Sequence, residues 1–431
     1  MSFNGFCLTK TNPNMKTITF NRLSLLAITI SVFVAFVSCS KGSSETDNGF
    51  EPIELSEVRK SYVAGGNDFA WNLLKEINEE KEQSMDASSG EEGDFVISPL
   101  SVQMLLGLLA ESAADESAAR KIRETIGFKN GSVDDVRAYC ITMMDKLPGM
   151  DKKTKVDLAN IVLGNSSFGK FEPGFEANAK KNYKALMSTM SFSDKKGVVN
   201  FVNNWASEKT SGMIKQAIEE DDFSEVTSFI LGNALYFKGE WTNKFDKGKT
   251  ASETFTREDG TTRKVDMMKQ TENYTIHESD NMIKMGMPYG NSAYYMTIYL
   301  PVEGEKVSDI LALLASGDNS YKYKHNGETE VWLPRFSTEN NIALTDILRE
   351  KLGLDALGNY LFKVNDKPSS VSLVKQVAKI SVDEDGSSAA AVTVATGDVA
   401  YFNGAFKADR PFVYAISETS TGAILFAGVY R

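Results

Sequence analysis

The chain has 431 residues, 42% hydrophobic and 24% charged, which is enough apolar material for a large globular core. Its formal net charge of −11 at pH 7 argues against a nucleic-acid partner, because a phosphate-binding surface needs clustered Lys and Arg. The most basic short stretch, Lys322-Tyr323-Lys324-His325, reads as a solvated turn.

Residues 1–38 read as a signal peptide, with Met15 as an alternative start. Lys16 and Arg22 precede an apolar run over 23–37 that is short for a membrane span. The run closes on Ser38 and Cys39, which resembles a bacterial lipobox, although Phe36 stands where Leu is usual. Cys39 is therefore expected to carry lipid, and the polar segment that follows, to about residue 60, to act as a flexible tether. The expected address is an exported lipoprotein anchored to a membrane, on the periplasmic, cell-surface or extracellular side. With Cys7 and Cys39 set aside, Cys140 stands alone and cannot form an internal disulfide. Stability must come from the core of one domain, 61–431.

In that domain residues 67–77 place Phe69, Ala70, Leu73, Leu74 and Ile77 on one helical face, with Asn67 or Asp68 as the cap. Residues 79–94 are acidic and rich in Ser and Gly, which suits a loop. Ser98 can cap a helix opened by Pro99, and that helix, to about residue 112, is apolar nearly all round and so buried. A strand-like run at 156–168 leads to a predicted helix at 175–187. Residues 201–218 read as an amphipathic helix broken at Ser211-Gly212, and 229–241 as a strong strand. More strands are predicted over 255–268, 274–301 and 331–336, then a helix at 343–352 and two strands over 412–430 around a turn at 418–422. Strands and helices mix without a βαβ rhythm, which predicts an α+β fold.

Few residues suit catalysis. The two histidines, His277 and His325, lie in polar, turn-like settings with no Gly-x-Ser-x-Gly elbow, so a Ser-His-Asp triad or a His/Cys metal site is not expected. No Gly-rich phosphate loop follows a strand. The reading is not an enzyme, and no cofactor is implied.

The stretch over 383–407 is different. Asp383, Glu384 and Asp385 stop at Gly386, and no charge returns before Asp398. Ser387, Ala389, Ala391, Thr393 and Ala395 form one alternating set, and Ser388, Ala390, Val392, Val394 and Thr396 the other. By itself this is a small-residue surface loop, an edge strand, or a loop able to enter a packed sheet without overpacking or burying charge.

Taken together, the segments resemble the serpin family over nearly all of 67–431. The pieces are Phe95-Val96-Ile97-Ser98-Pro99-Leu100-Ser101, Asn204-Trp205 with Thr210 and Gly212, and Asn233-Ala234-Leu235-Tyr236-Phe237-Lys238-Gly239-Glu240-Trp241. Val265-Asp266-Met267-Met268, Leu333-Pro334-Arg335-Phe336 and Arg410-Pro411-Phe412 follow in the family's order, after a Gly-Ser-Ser-Ala-Ala-Ala hinge in the last case. The resemblance implies a serpin fold of mixed and antiparallel sheets with surrounding helices and an exposed reactive-centre loop. It also implies a monomer whose partners are serine proteases, inhibited irreversibly and one for one. In the family a protease cuts the loop, forms an acyl-enzyme and is trapped when the freed arm inserts as a new strand, a known case of strand addition and released strain.

By position, Glu384 and Gly386 resemble the near end of the hinge, and Ser387, Ser388, Ala389, Ala390, Ala391 and Val392 its mobile part. The family's count puts the reactive bond between Ala400 and Tyr401. Ala400, after Val399, suits an elastase-like enzyme, and Tyr401 a chymotrypsin-like one if the cut falls one residue later. Ser98 and Ser101 correspond to the place where strands must part, and Asn233 and Trp241 to the sheet centre and its upper opening. Gln376 stands where many members have a His, which implies a switch without pH sensitivity there. A non-inhibitory carrier, chaperone or scaffold is the alternative, usually with bulky, charged or Pro-containing hinges.

Overall fold

The computed structural model describes residues 49–84, 93–113, 115–318, 320–359, 363–365, 367–371, 373–386 and 405–431, all within one unit, Thr46–Arg431. In chain order these are helix α1 (Glu57–Ser84), strand β1 (Phe95–Ile97), and helices α2 (Pro99–Ala110), α3 (Glu116–Thr125) and α4 (Val133–Lys146). Next come β2 (Thr154–Asn165), α5 (Pro173–Asn182), β3 (Ala185–Met190), α6 (Lys195–Lys209) and β4 (Phe229–Gly239). Strands β5 (Ala251–Thr256), β6 (Thr262–Glu278), β7 (Met282–Tyr289) and β8 (Tyr294–Pro301) precede α7 (Val307–Ser316). Then follow β9 (Tyr323–Pro334), β10 (Phe336–Ala343), β11 (Val374–Val382), β12 (Ala405–Lys407), β13 (Phe412–Glu418) and β14 (Ile424–Tyr430).

Among the described residues the strands make two sheets. One has five strands in the order β10-β11-β4-β2-β3. The other has nine, in the order β1-β14-β13-β8-β7-β6-β9-β12, with β5 on β6. Helix α2 packs between them, against β4 and β14, and all twelve of its residues are buried. Its apolar circumference therefore meets protein on every side, as expected. The mixed sheets and flanking helices agree with the α+β serpin architecture. The turn after β13 is closed by the buried Glu418 carboxylate, which accepts from the Ser420 and Thr421 backbone N–H groups and hydroxyls.

Several elements differ from the sequence reading. Helix α1 begins ten residues before Asn67, so neither Asn67 nor Asp68 caps it. Asn67 instead ties α1 to the last strand, donating to Gly422 O and accepting from Ile424 N–H. The Gly65-Gly66 pair lies within α1 and allows a close approach: a Cβ on Gly65 would lie 2.5 Å from Gly127 O. The predicted helix at 175–187 stops at Asn182, and Ala185–Met190 becomes β3, paired in parallel with β2. Helix α6 starts at Lys195 and ends at Lys209, before Ser211 and Gly212, both at positive φ. Residues 322–325 are not a turn, since β9 begins at Tyr323 and pairs along β6 from Glu278↔Tyr323 to Met267↔Pro334. Both histidines thus sit in strands, with Ile276 opposite His325 and His277 opposite Lys324. Burial, with Lys284 and Lys324 nearby, holds His277 below its ordinary pKa. The predicted strand at 331–336 is cut at Arg335, where the chain leaves β9 and enters the other sheet as β10.

Candidate functional site

The five-stranded sheet contains one incomplete junction. Strands β4 and β11 are neighbours and run parallel, but their ladder covers only Val374↔Leu231, Lys375↔Gly232 and Gln376↔Asn233. Beyond it, residues 377–382 of β11 and 234–239 of β4 have no rungs joining the two strands. On its other side each strand is well paired: β4 with β2 from Thr154↔Gly239 to Gly164↔Phe229, and β11 with β10 from Phe336↔Val382 to Ala343↔Lys375. The sheet therefore holds a seam in its middle, closed at both ends.

The lower closure holds Ser98, Ser101, Asn233 and Gln376. Gln376 reaches off β11 to the start of α2, accepting from Ser98 N–H at 3.0 Å and donating to Ser98 O at 2.8 Å. The Ser98 hydroxyl donates to Ser101 Oγ at 2.8 Å. Ser98 thus occupies the cap position without making the expected side-chain cap bond. Gln376 bonds down to α2 rather than across to Asn233. Asn233 donates to Asn160 Oδ1 on β2 at 2.7 Å, and Asn160 donates to Tyr183 O at 2.7 Å. The Asn233 side-chain oxygen is buried and has no hydrogen-bond partner among the described residues. Asn160 was invisible to motif reading, because its role arises only from the β2–β4 register.

At the upper closure β11 runs into Asp383, Glu384, Asp385 and Gly386, and all four lean on the end of β4. The Trp241 indole N–H donates to Asp383 O at 2.9 Å, its backbone N–H to Asp385 O at 3.0 Å, and Phe245 N–H to Glu384 O at 2.9 Å. Trp241 itself stacks on Tyr289 at 4.3 Å. Gly386 has φ +87°, and a Cβ there would fall 2.2 Å from Trp241 N, so only glycine fits this approach.

Glu384 is 2% exposed. Burial pushes its carboxyl pKa up, but hydrogen bonds from Arg335 and Thr250 outweigh that and hold it below the ordinary value. Asp385 pairs with Lys247. Glu384, Gly386 and Trp241 are therefore brought together, with Arg335 and Thr250 as partners to which the sequence assigned no role.

A second apolar cluster covers the seam. Val198, Val202, Trp205 and Ala206 of α6 pack with Ile161 and Leu163 of β2, Ile230 and Ala234 of β4, and Val377 of β11. Both margins of the seam thus lie under one patch. No group of three or more His, Cys, Asp or Glu able to hold a metal occurs among the described residues. The hinge residues Ser387, Ser388, Ala389, Ala390, Ala391 and Val392, the bond Ala400–Tyr401, and Cys39 lie outside the described residues.

Asp383 and Gly386 form an antiparallel bridge. A strand continuing from it would run back along β11, antiparallel to β11 and β4 alike, through the seam. Extending the register puts residue 387 opposite Val382 and residue 392 opposite Val377.

A sequence profile described as serpin (serine protease inhibitor) matches residues 64–431. The chain is 30% identical to Serpin-Z10 of Arabidopsis thaliana over 355 residues, covering 78% of this chain and 90% of the relative. Among solved structures it resembles Serpin48 of the insect Tenebrio molitor, with a TM-score of 0.74, 22% identity, and 88% and 99% of the two chains covered. It also resembles Arabidopsis AtSerpin1 in its native stressed conformation, with a TM-score of 0.73, 25% identity, and 87% and 98% covered.

Proposed function

The chain belongs to the serpin family, and we propose that it is an irreversible, one-for-one inhibitor of serine proteases that acts by loop cleavage and strand insertion. The observation that carries the reading is the seam: six residues of β11 without rungs to β4, continued by a turn whose first antiparallel bridge is already made. The insert it calls for must be small and uncharged, and residues 387–392 are Ser, Ser, Ala, Ala, Ala and Val. Extending the register places Ser387, Ala389 and Ala391 opposite Val382, Ile380 and Ala378, directly paired residues sharing a face. Those three β11 side chains are buried in the main core. A native form described as stressed in AtSerpin1 supports the same reading here.

The target class follows from the loop sequence. No Lys or Arg lies between Asp385 and Lys407, so a protease with a buried carboxylate in its specificity pocket finds no partner. We assign the reactive bond to Ala400–Tyr401 and the targets to elastase-like or chymotrypsin-like enzymes. The test is a panel of purified proteases mixed with the soluble domain and run on a denaturing gel. The expected result is a covalent complex with elastase-like or chymotrypsin-like enzymes. Cleavage without any complex would favour a substrate or non-inhibitory role, and faster trapping of trypsin would overturn the target assignment.

We also propose lipid attachment at Cys39, where two signals or chains would give stable anchoring. Detergent partitioning of the wild type should be lost in Cys39→Ala. Equal solubility of both forms after signal cleavage would count against it.

A further inference from the structure

Strand pairing lines up three basic side chains across the nine-stranded sheet. Lys324 of β9 stands directly opposite His277 of β6, His277 opposite Lys284 of β7, and Lys284 opposite Tyr299 of β8. Directly paired residues share a face, so the order across that face is Lys, His, Lys, Tyr. No carboxylate enters the row, although the chain as a whole carries a net charge of −11. The acids next to it in sequence are engaged elsewhere: Asp280 pairs with Lys322, and Glu278 meets His325 at 3.8 Å.

Lys284 makes no ion pair among the described residues. Its Nζ lies 5.2 Å from the centre of the Tyr321 ring and 5.7 Å from that of Tyr299, and Trp71 meets the Tyr299 ring edge-on at 5.5 Å. The residue is half-buried. Two phenol rings near the ~6 Å limit of cation–π attraction replace little of the hydration lost, and burial holds Lys284 below its ordinary pKa. A lysine so placed spends more of its time as the neutral amine, which is its nucleophilic form.

We propose that Lys284 is a carbamylation site for carbon dioxide, its neutral amine taking up CO2 to give a carbamate that the cations of the same row stabilise. The Nζ lone pair forms the new C–N bond, one C=O electron pair moves onto oxygen, and one N–H proton leaves to water. Nothing is oxidised or reduced. Charge selects this electrophile: an aldehyde would leave a protonated imine, and an acyl donor a neutral amide, in a row that lacks anions. Of the three, only CO2 turns the cation into an anion, which Lys324 and a protonated His277 then face. An anion beside His277 also favours its charged form. CO2 is small and apolar, which suits a half-buried amine between two rings. The site is independent of the insertion reading.

The test is to equilibrate the protein with isotopically labelled bicarbonate, trap carbamates with triethyloxonium, which alkylates the carbamate oxygen, and read each lysine by peptide mass spectrometry. Lys322, which Asp280 holds above its ordinary pKa, is the internal comparison. Each unit of pKa changes the neutral fraction about tenfold, so labelling at Lys284 should exceed that at Lys322 at least about tenfold. In carbon NMR of the same sample one carbamate resonance should disappear in Lys284→Arg, which keeps the charge. Lys324 is exposed, so Lys324→Glu keeps the fold and should cut the occupancy several-fold by removing a cation that the carbamate faces. Equal labelling of Lys284 and Lys322, or a spectrum unchanged in Lys284→Arg, overturns the site. Undiminished labelling in Lys324→Glu overturns the charge argument.

Discussion

Cutting the loop near Ala400 should raise the thermal midpoint, and the seam sets a minimum size for the rise. Residues 377–382 and 234–239 present about six N–H and C=O groups each to an incoming strand. Twelve ladder bonds at about 1 kcal/mol net contribute about 12 kcal/mol. Ordering six residues costs about 9 kcal/mol, and burying the methyl groups of three Ala and one Val returns about 5 kcal/mol. The balance is about 8 kcal/mol in favour of the inserted form. A body of this size unfolds with an entropy of about 0.8 kcal/mol/K, so the midpoint should climb by about 10 °C, and further as residues beyond 392 enter. Ser387→Arg should abolish most of the climb. The extended register puts residue 387 opposite buried Val382, and a lone charge on that face costs several kcal/mol. In that variant trapping should give way to plain cleavage while the first cut remains. The assay is calorimetry on intact and cleaved protein, for wild type and variant, after the protease has been quenched. If cleaved wild type melts no higher than intact protein, the strand does not insert and the inhibitor reading falls.

Gly386→Ala should lower the melting point of the intact form by the equivalent of at least about 1 kcal/mol, since its Cβ would meet Trp241 N. Gly212→Ala, also at positive φ but with open space around it, should do less, and equal losses would remove the contact argument. Glu384→Gln should destabilise the intact form at neutral pH. Because the folded pKa of Glu384 lies below its ordinary 4.5, the wild-type advantage is complete above that value and fades as pH falls through the lowered one. Melts of both proteins from pH 7 to pH 3 would refute this if the gap stayed constant. Arg431 is 6% exposed, its backbone N–H bonds Asp94 at 2.6 Å, and its guanidinium meets Asn78 and Glu82. Arg431→Met should therefore cost about 2–3 kcal/mol in urea unfolding, and a loss under about 0.5 kcal/mol would show the cluster to be incidental.

Local patterns were readable where one face decided the conformation. The apolar run of β4, the Ser98-Pro99 start of α2 and the turn after β13 follow from their own residues. Misreadings came where a distant partner decided. Helix α1 starts ten residues before Asn67 and runs through Gly65-Gly66, which pack against Gly127. The polar start of β9 is a strand because β6 offers it an unbroken ladder. Residues 185–190 pair with β2 despite a composition that also suits a helix. At the site, motif order named Ser98, Gln376, Asn233, Trp241, Glu384 and Gly386, and the structure places them at the two ends of the seam. Nothing local could show that β11 and β4 share only three rungs, or that Asn160, Thr250 and Arg335 complete the two closures.

The two closures differ in chemistry, and the difference bears on how the seam is held. Both are made of hydrogen bonds, which can be exchanged one at a time. The lower one, Gln376 with Ser98 and Asn233 with Asn160, contains no titrating group and should be indifferent to pH. The upper one depends on Glu384, whose pKa is held below its ordinary value, and so weakens in acid. The lower closure is also incomplete, because the buried Asn233 oxygen has no partner, a condition costing about 1–3 kcal/mol. Acid should therefore favour opening from the upper end, where the contacts of the Glu384 carboxylate are lost.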